Sequence, residues 1–248
     1  MDCLSCGITS SPASREHIFS RWLLKAFGSL RLFVGLRRQF ADGSSELIRH
    51  EYPLDHFKLK KICNACNTGW MHDLEDDCKL LLSGIIAGSE SLETLSRDQR
   101  CLLARWAGKT AIVESHAVGA ECPVDSAFLR EIKLDTYGHP GRFAVAACQT
   151  SFAGFGHMQV GIIRDLFGGG KAAGNVILIG LPKLVFVCAF PMLQVPFQSR
   201  LAPPLQGVWP ADDREWHLMS GSFEPLNLTS SESIIELSYR IELSHKLA

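Results

Sequence analysis

The sequence predicts an α+β fold in which a cysteine-stapled N-terminal module precedes a helix and an antiparallel sheet. Three observations carry this. Apolar residues alternate or cluster briefly from Leu30 to Ile62 and again beyond residue 118, they recur three to four apart after Cys66 and after Ser96, and two Cys-x-x-Cys pairs frame the first part of the chain.

The elements follow in order. Leu30-Arg31-Leu32-Phe33-Val34 is a short apolar cluster, and Asp42-Gly43 is a turn signal flanked by β-branched and aromatic residues, so residues 30–62 contain a hairpin. Trp70, Leu74, Cys78 and Leu81 mark one buried face of a helix that begins near Asn67 and fades by Gly84. Ser96 and Gln99 have the spacing of a capping box, and Leu102, Leu103, Trp106, Ala107, Thr110 and Ala111 continue as the apolar stripe of a second helix. Strands are expected over Arg142 to Gln149, Gly156 to Arg164, Asn175 to Gly180 and Lys183 to Phe190, with Gly-rich or Pro-containing turns between them. Gly168-Gly169-Gly170-Lys171 resembles a phosphate loop only superficially, because Ala172 stands where Ser or Thr is needed, and is read as a hairpin loop. Ser233 to Leu247 fits both a period of two and a helical face and is read as helix. The boundary between a module of residues 1–88 and an α+β domain of residues 89–248 is placed at Gly88-Ser89-Glu90-Ser91.

Bulk properties exclude several classes. An apolar fraction of 46% is enough for a globular core and argues against disorder. With 25 Lys and Arg against 26 Asp and Glu the chain is not generally basic, so contact with nucleic acid has to come from a local patch. No run approaches the ~20 apolar residues that span a bilayer, since Val176 to Phe190 is interrupted by Pro182 and Lys183. Met1-Asp2-Cys3 lacks the basic start of a signal peptide, and nine cysteines, an odd number, suit metal binding in a reducing compartment. A cytosolic, membrane-free protein is therefore expected.

Cys3 and Cys6 form one knuckle, Cys63 and Cys66 the other. Each Cys-x-x-Cys turn presents two thiolates to a metal at ~2.3 Å, and two turns complete a tetrahedral Zn²⁺ shell with no open position, so the ion is structural. Free thiols or a redox pair are the competing reading, although redox motifs of this kind do not ordinarily come in twos. Cys78, Cys101, Cys122, Cys148 and Cys188 stand singly and are assigned to packing.

Between the knuckles lies Ser14-Arg15-Glu16-His17-Ile18, and Asn67 follows the last knuckle cysteine in Cys63-Asn64-Ala65-Cys66-Asn67-Thr68-Gly69-Trp70. This order resembles the zinc-stapled branch of the HNH (ββα-metal, treble-clef) endonucleases, including phage junction-resolving nucleases. The strings Glu16-His17-Ile18-Phe19-Ser20-Arg21-Trp22-Leu23 and Cys66-Asn67-Thr68-Gly69-Trp70-Met71 look like a bacterial HNH-like subgroup. The resemblance implies phosphodiester hydrolysis, with DNA as the expected nucleic acid, His17 as general base, Glu16 and Asn67 holding one Mg²⁺ or Mn²⁺, and the cysteines as staple. Two departures stand out: Asp is more frequent where Glu16 stands, and the insert before Cys63 is long. A catalytically inactive nucleic-acid-binding relative and a zinc-stapled protein-interaction module are the alternatives. Antiviral defence and mobile elements are settings in which such nucleases serve.

Elementary chemistry agrees with those roles, because oxygen donors suit a hard divalent ion and an imidazole with pKa near ~6.5 accepts a proton at neutral pH. Neighbours on a regular strand point to opposite faces, so Glu16 and His17 are expected at a strand end or in a loop. Arg15, Arg21, Arg37, Arg38, Lys60 and Lys61 are the candidate phosphate contacts, with solvated hairpin faces as the equally weighted alternative. His72, about 140° from Asn67 round an ideal helix, is expected to miss the ion, with a ligand role kept as the alternative. Asp73, Glu75, Asp76 and Asp77 are read as an exposed helix face, and Trp22 and Trp70 as core anchors. His50, His56, His116, His139, His157 and His217 are not assigned to the site. The 89–248 domain is open to a homodimer or partner-protein role.

Overall fold

The structure, a computed structural model, describes residues 2–9, 13–27, 31–39, 45–53, 58–119, 123–134, 143–150, 154–166, 170–191 and 206–209. A short strand β1 (Ala13–His17) pairs antiparallel with β4 (Lys58–Cys63), and the chain then enters α2 (Asn64–Cys66), a wide π-type turn (Asn67–Met71) and α3 (His72–Ala87). Between β1 and β4 are inserted α1 (Arg21–Phe27) and the hairpin of β2 (Arg31–Gln39) and β3 (Ser45–Pro53). The hairpin is where the alternation places it, while its Asp42-Gly43 turn lies outside the described residues.

Helix α3 runs a turn beyond Gly84. Packing explains why Gly84 does not end it: a Cβ there would meet Cγ of Glu90 at 2.6 Å, so the residue serves a close approach. The stop is Gly88, at φ 82°, whose N–H reaches back to the carbonyls of Gly84 and Ile85. Next, α4 (Arg97–Ala117) opens with the expected capping box. Ser96 Oγ accepts from the Gln99 N–H at 3.2 Å and Gln99 Oε1 accepts from the Ser96 N–H at 2.8 Å. This helix is buried nearly all round from Leu103 to Ser115, the pattern of a helix at the centre of a domain.

One side of α4 packs on a seven-stranded sheet of order β3-β2-β6-β7-β8-β5-β9. It contains β5 (Ala144–Gln149), β6 (Phe155–Leu166), β7 (Gly170–Leu181), β8 (Leu184–Pro191) and β9 (Gln206–Trp209), and α5 (Ala127–Leu134) lies against α4. Register aligns Ile177 with Cys188 and Ile179 with Phe186, so these side chains share the face toward α4, where Trp106 and Phe186 rings sit 5.7 Å apart. Full burial of each such large side chain stabilises the fold by roughly 1.5–3 kcal/mol. The opposite face of β7 and β8 is buried too, at Val176, Leu178, Val185 and Val187, which accounts for the nearly unbroken apolar run of these strands.

The sheet is mixed, not purely antiparallel: β2 runs parallel to β6, from Leu32 opposite Phe155 to Arg38 opposite Gly161. Alternation reports which residues face a core and is blind to the direction of the neighbouring strand. Through β2 and β3, residues before the expected 88/89 boundary complete a sheet built by residues after it, and one core cluster runs from Cys3 to Phe190. Strands β6 and β7 pair from Gly156 opposite Gly180 to Leu166 opposite Gly170; Gly170 and Lys171 begin β7, while Gly168 and Gly169 lie outside the described residues. The helix expected over Ser233 to Leu247 lies outside the described residues. No helix among the described residues is long and apolar enough to cross a membrane.

Candidate functional site

The two knuckles meet at one point. In the first, the Gly7 N–H donates to the Cys3 carbonyl at 2.8 Å, closing a turn that Gly7, at φ 71°, can adopt without a Cβ penalty. The Leu4 N–H donates to the Lys61 carbonyl at 2.9 Å, which hooks this turn onto β4, and β4 ends at Cys63, the first ligand of the second knuckle. Sulfur atoms of Cys3, Cys6, Cys63 and Cys66 all lie within 4.8 Å of one another, and Cys6 Sγ is 3.8 Å from Cys63 Sγ. An ideal tetrahedron with ~2.3 Å metal–sulfur bonds has edges of about 3.8 Å, so the spacing fits a structural metal such as zinc.

The electrostatics point the same way. Backbone N–H groups of Cys63, Cys6 and Ser5 outweigh burial at the Cys3 thiol and bring its pKa down to about 7, the Cys63 N–H lying 3.2 Å from Cys3 Sγ. Burial, reinforced by the neighbouring sulfurs, pushes Cys66 up to about 12. Four thiols this close do not all ionise unaided, and a dication is the natural partner of the full thiolate set. Trp70 donates its indole N–H to Ser5 Oγ at 3.0 Å, strapping the first knuckle to the turn after the second, and both Trp70 and Trp22 pack against the core.

Asn67 follows Cys66 directly and lines a cavity of about 640 Å³ together with Glu16 and His17. The acid and the histidine occupy the last two positions of β1, just past an irregularity where two steps on β1, Ser14 to Glu16, face three on β4, Ile62 to Leu59. A strand end with a bulge thus lets both residues reach one cavity. Helix α1 contributes Arg21, Trp22 and Lys25 to its walls, and α3 contributes His72, Glu75, Asp76 and Lys79.

His72 lies beyond a break in the helix. Between Asn67 and His72 the backbone leaves helical geometry at Gly69, at ψ −119°, within the π-type turn, so rotation per residue is not 100° and the two side chains line the same cavity. His72 Nε2 lies 3.5 Å from Asp76 Oδ2. The acidic run also divides: Asp73, Asp76 and Asp77 are exposed, whereas Glu75 is half-buried and turns inward.

Glu75 turns toward Lys109 of α4, which is fully buried and was not singled out from the sequence. Lys109 Nζ lies 2.6 Å from Glu75 Oε1 and 3.9 Å from Glu16 Oε1. Burial opposes the ammonium, but the Glu75 and Glu16 carboxylates overcome it and hold Lys109 above its ordinary pKa. For Glu16, burial dominates: it raises the carboxyl to about 7 against the pull of Lys109, with Glu75 adding to the rise. The two shifts are consistent because the ammonium donates to Glu75 and only faces Glu16.

Of the candidate phosphate contacts, Arg21 lines the cavity, while Lys60 and Lys61 are exposed on β4 and are not among its lining residues. The backbones of Arg15, Arg37 and Arg38 lie in β1 and β2, and their side chains lie outside the described residues. Among the described residues, the cysteine quartet is the one group of three or more His, Cys, Asp or Glu side chains with ligand atoms within 4.8 Å. Cys78, Cys148 and Cys188 are buried and Cys101 half-buried, Cys122 lying outside the described residues. His50 is exposed on β3, His116 bonds the Val124 carbonyl at 3.0 Å, and His157 bonds Glu114 at 2.8 Å inside the core; His56, His139 and His217 lie outside the described residues.

The chain matches no family model, no curated protein and no solved structure.

Proposed function

We propose that this chain is a metal-dependent endonuclease of HNH type that hydrolyses phosphodiester bonds, with DNA as the expected substrate. The observation that carries the reading is the convergence of Glu16, His17 and Asn67 on one cavity beside a four-cysteine cluster. The order of elements supports it as well: an antiparallel strand pair followed by a helix, with the acid and histidine at the end of the first strand, is the ββα order the resemblance implies.

Glu16, Asn67, Thr68, Glu75 and Asp76 line the cavity and carry the oxygen donors that a hard divalent ion prefers. Mg²⁺ or Mn²⁺ held by Glu16 and Asn67 would supply charge stabilisation at the scissile phosphate and the leaving oxygen. His17 takes the proton of the attacking water. Its ring is half-buried and lines the cavity, and its Nδ1 is buried. Arg21, Lys25 and Lys79 line the same cavity and offset the charge of the phosphate backbone. The cysteine cluster fixes the start of the turn that carries Asn67 against the strand pair that carries Glu16 and His17.

One contact favours the alternative of an inactive nucleic-acid-binding module: Lys109 faces Glu16 at 3.9 Å and partly neutralises the carboxylate that the ion needs. A single experiment separates the two. Zinc-loaded protein is incubated with plasmid DNA and with RNA in Mg²⁺ or Mn²⁺, beside His17→Ala. Loss of the general base lowers the cleavage rate by about 10²–10⁴-fold. Cleavage that persists in the variant removes His17 from the mechanism, and salt-dependent binding without cleavage by the unmodified chain supports the inactive module.

A further inference from the structure

Both halves of the chain meet at Lys109. It belongs to α4, beyond the expected module boundary, yet its ammonium contacts two carboxylates that line the cavity, Glu16 from β1 and Glu75 from α3. The lysine itself does not line the cavity. It stands behind the wall, fully buried, as the internal counter-charge of the pair.

Its two contacts are unequal. Glu75 accepts a hydrogen bond from the ammonium at 2.6 Å. Glu16, only 4% exposed, faces the same ammonium at 3.9 Å, too far for a hydrogen bond. Glu16 lines the cavity with a nearly buried carboxylate that this ammonium faces without hydrogen-bonding it. Glu75 pins the ammonium, and the ammonium sets the field in which Glu16 meets a cation.

We infer that Lys109 is a positioning residue that sets the divalent-ion affinity of the cavity through its shared hold on Glu16 and Glu75. The inference rests on the ion-binding part of the function proposed above and extends the site into the segment after residue 88. Lys109, Glu16 and Glu75 together carry a charge of −1 when all are ionised, and the affinity for a dication follows that sum.

Mn²⁺ binding to zinc-loaded protein at pH 8, followed by electron paramagnetic resonance, tests this. Lys109→Met leaves two carboxylates without their counter-charge and tightens Mn²⁺ at least tenfold. Glu75→Gln cancels the net charge and weakens it at least tenfold. The double variant Glu75→Gln/Lys109→Met restores −1 and returns to within about threefold of the unmodified chain, and Lys109→Arg stays close to it. If Lys109→Met fails to fold, the Glu75→Gln and double-variant pair still gives the ranking. A strut with no role in the site would give the same Mn²⁺ affinity in every folded variant, and that result overturns the inference while leaving the nuclease reading standing. No Mn²⁺ binding in any protein overturns both, whereas the ranking without nucleic-acid cleavage supports the inference and overturns the nuclease reading.

Discussion

Replacing Glu16 by Gln tests the electrostatics of the cavity without any assumption about catalysis. Burial raises the Glu16 carboxyl from an ordinary 4.5 to about 7, with Lys109 acting against the rise and Glu75 with it. A folded-state pKa above the unfolded one means that the native protein holds this proton more tightly. The associated stability is fully present below pH 4.5 and is lost as pH rises through about 7. At about 1.4 kcal/mol for each tenfold change in proton affinity, the loss at this side chain, 6% exposed, approaches about 3 kcal/mol. Gln has no such titration. Relative to the unmodified chain, Glu16→Gln therefore gains about 3 kcal/mol between pH 4.5 and 8. Urea unfolding of zinc-loaded proteins, without added Mg²⁺ or Mn²⁺, measures the difference at pH 5 and at pH 8. Cysteine and zinc contributions are common to both proteins and cancel. An equal stability difference at the two pH values would refute the assignment of Glu16 as a buried carboxyl with a raised pKa.

Two predictions concern the scaffold. Ser96→Ala removes the acceptor that caps α4 and costs about 1 kcal/mol in urea unfolding, with a larger loss in Ser96→Ala/Gln99→Ala as both arms of the box disappear. Lys183 holds a φ of 63° in the Leu181-Pro182-Lys183-Leu184 turn between β7 and β8, a left-handed conformation that Gly adopts without strain. Lys183→Gly relieves roughly 1–2 kcal/mol of left-handed strain against a Gly entropy cost of roughly 0.5–1 kcal/mol, a net gain of roughly 0.5–1 kcal/mol in unfolding free energy, and a loss of that size instead would contradict the turn geometry.

What was legible in the sequence divides along physical lines. Signals that depend on neighbours in the chain came through: the Ser96 and Gln99 cap, the two knuckle turns, and the hairpin around Asp42-Gly43, whose strands β2 and β3 pair over their full length. Signals that depend on partners far away did not. The strands between Ala144 and Pro191 pair antiparallel as read, but nothing local reports that the earlier hairpin joins them, with β2 parallel to β6. A fixed angle per residue does not describe the stretch from Asn67 to His72, because the helix breaks at Gly69. Glu75 looked like one more charge on an exposed face, since its partner is thirty-four positions further on. Lys109 did leave a trace, as a lone charge within the apolar stretch Trp106 to Val113, where a lysine needs a buried counter-ion to be tolerated. Helix α5, at Ala127–Leu134, and strand β9, at Gln206–Trp209, were too short to stand out by periodicity.

The function proposed for this chain depends on a metal holding two distant knuckles together and, with them, Asn67 against Glu16 and His17. X-ray absorption at the zinc edge on purified, zinc-loaded protein addresses that dependence directly. One zinc per chain, surrounded by four sulfurs at ~2.3 Å and no nitrogen or oxygen, is the expected result. A shell with fewer than four sulfurs, or a folded chain that retains no zinc, would contradict it.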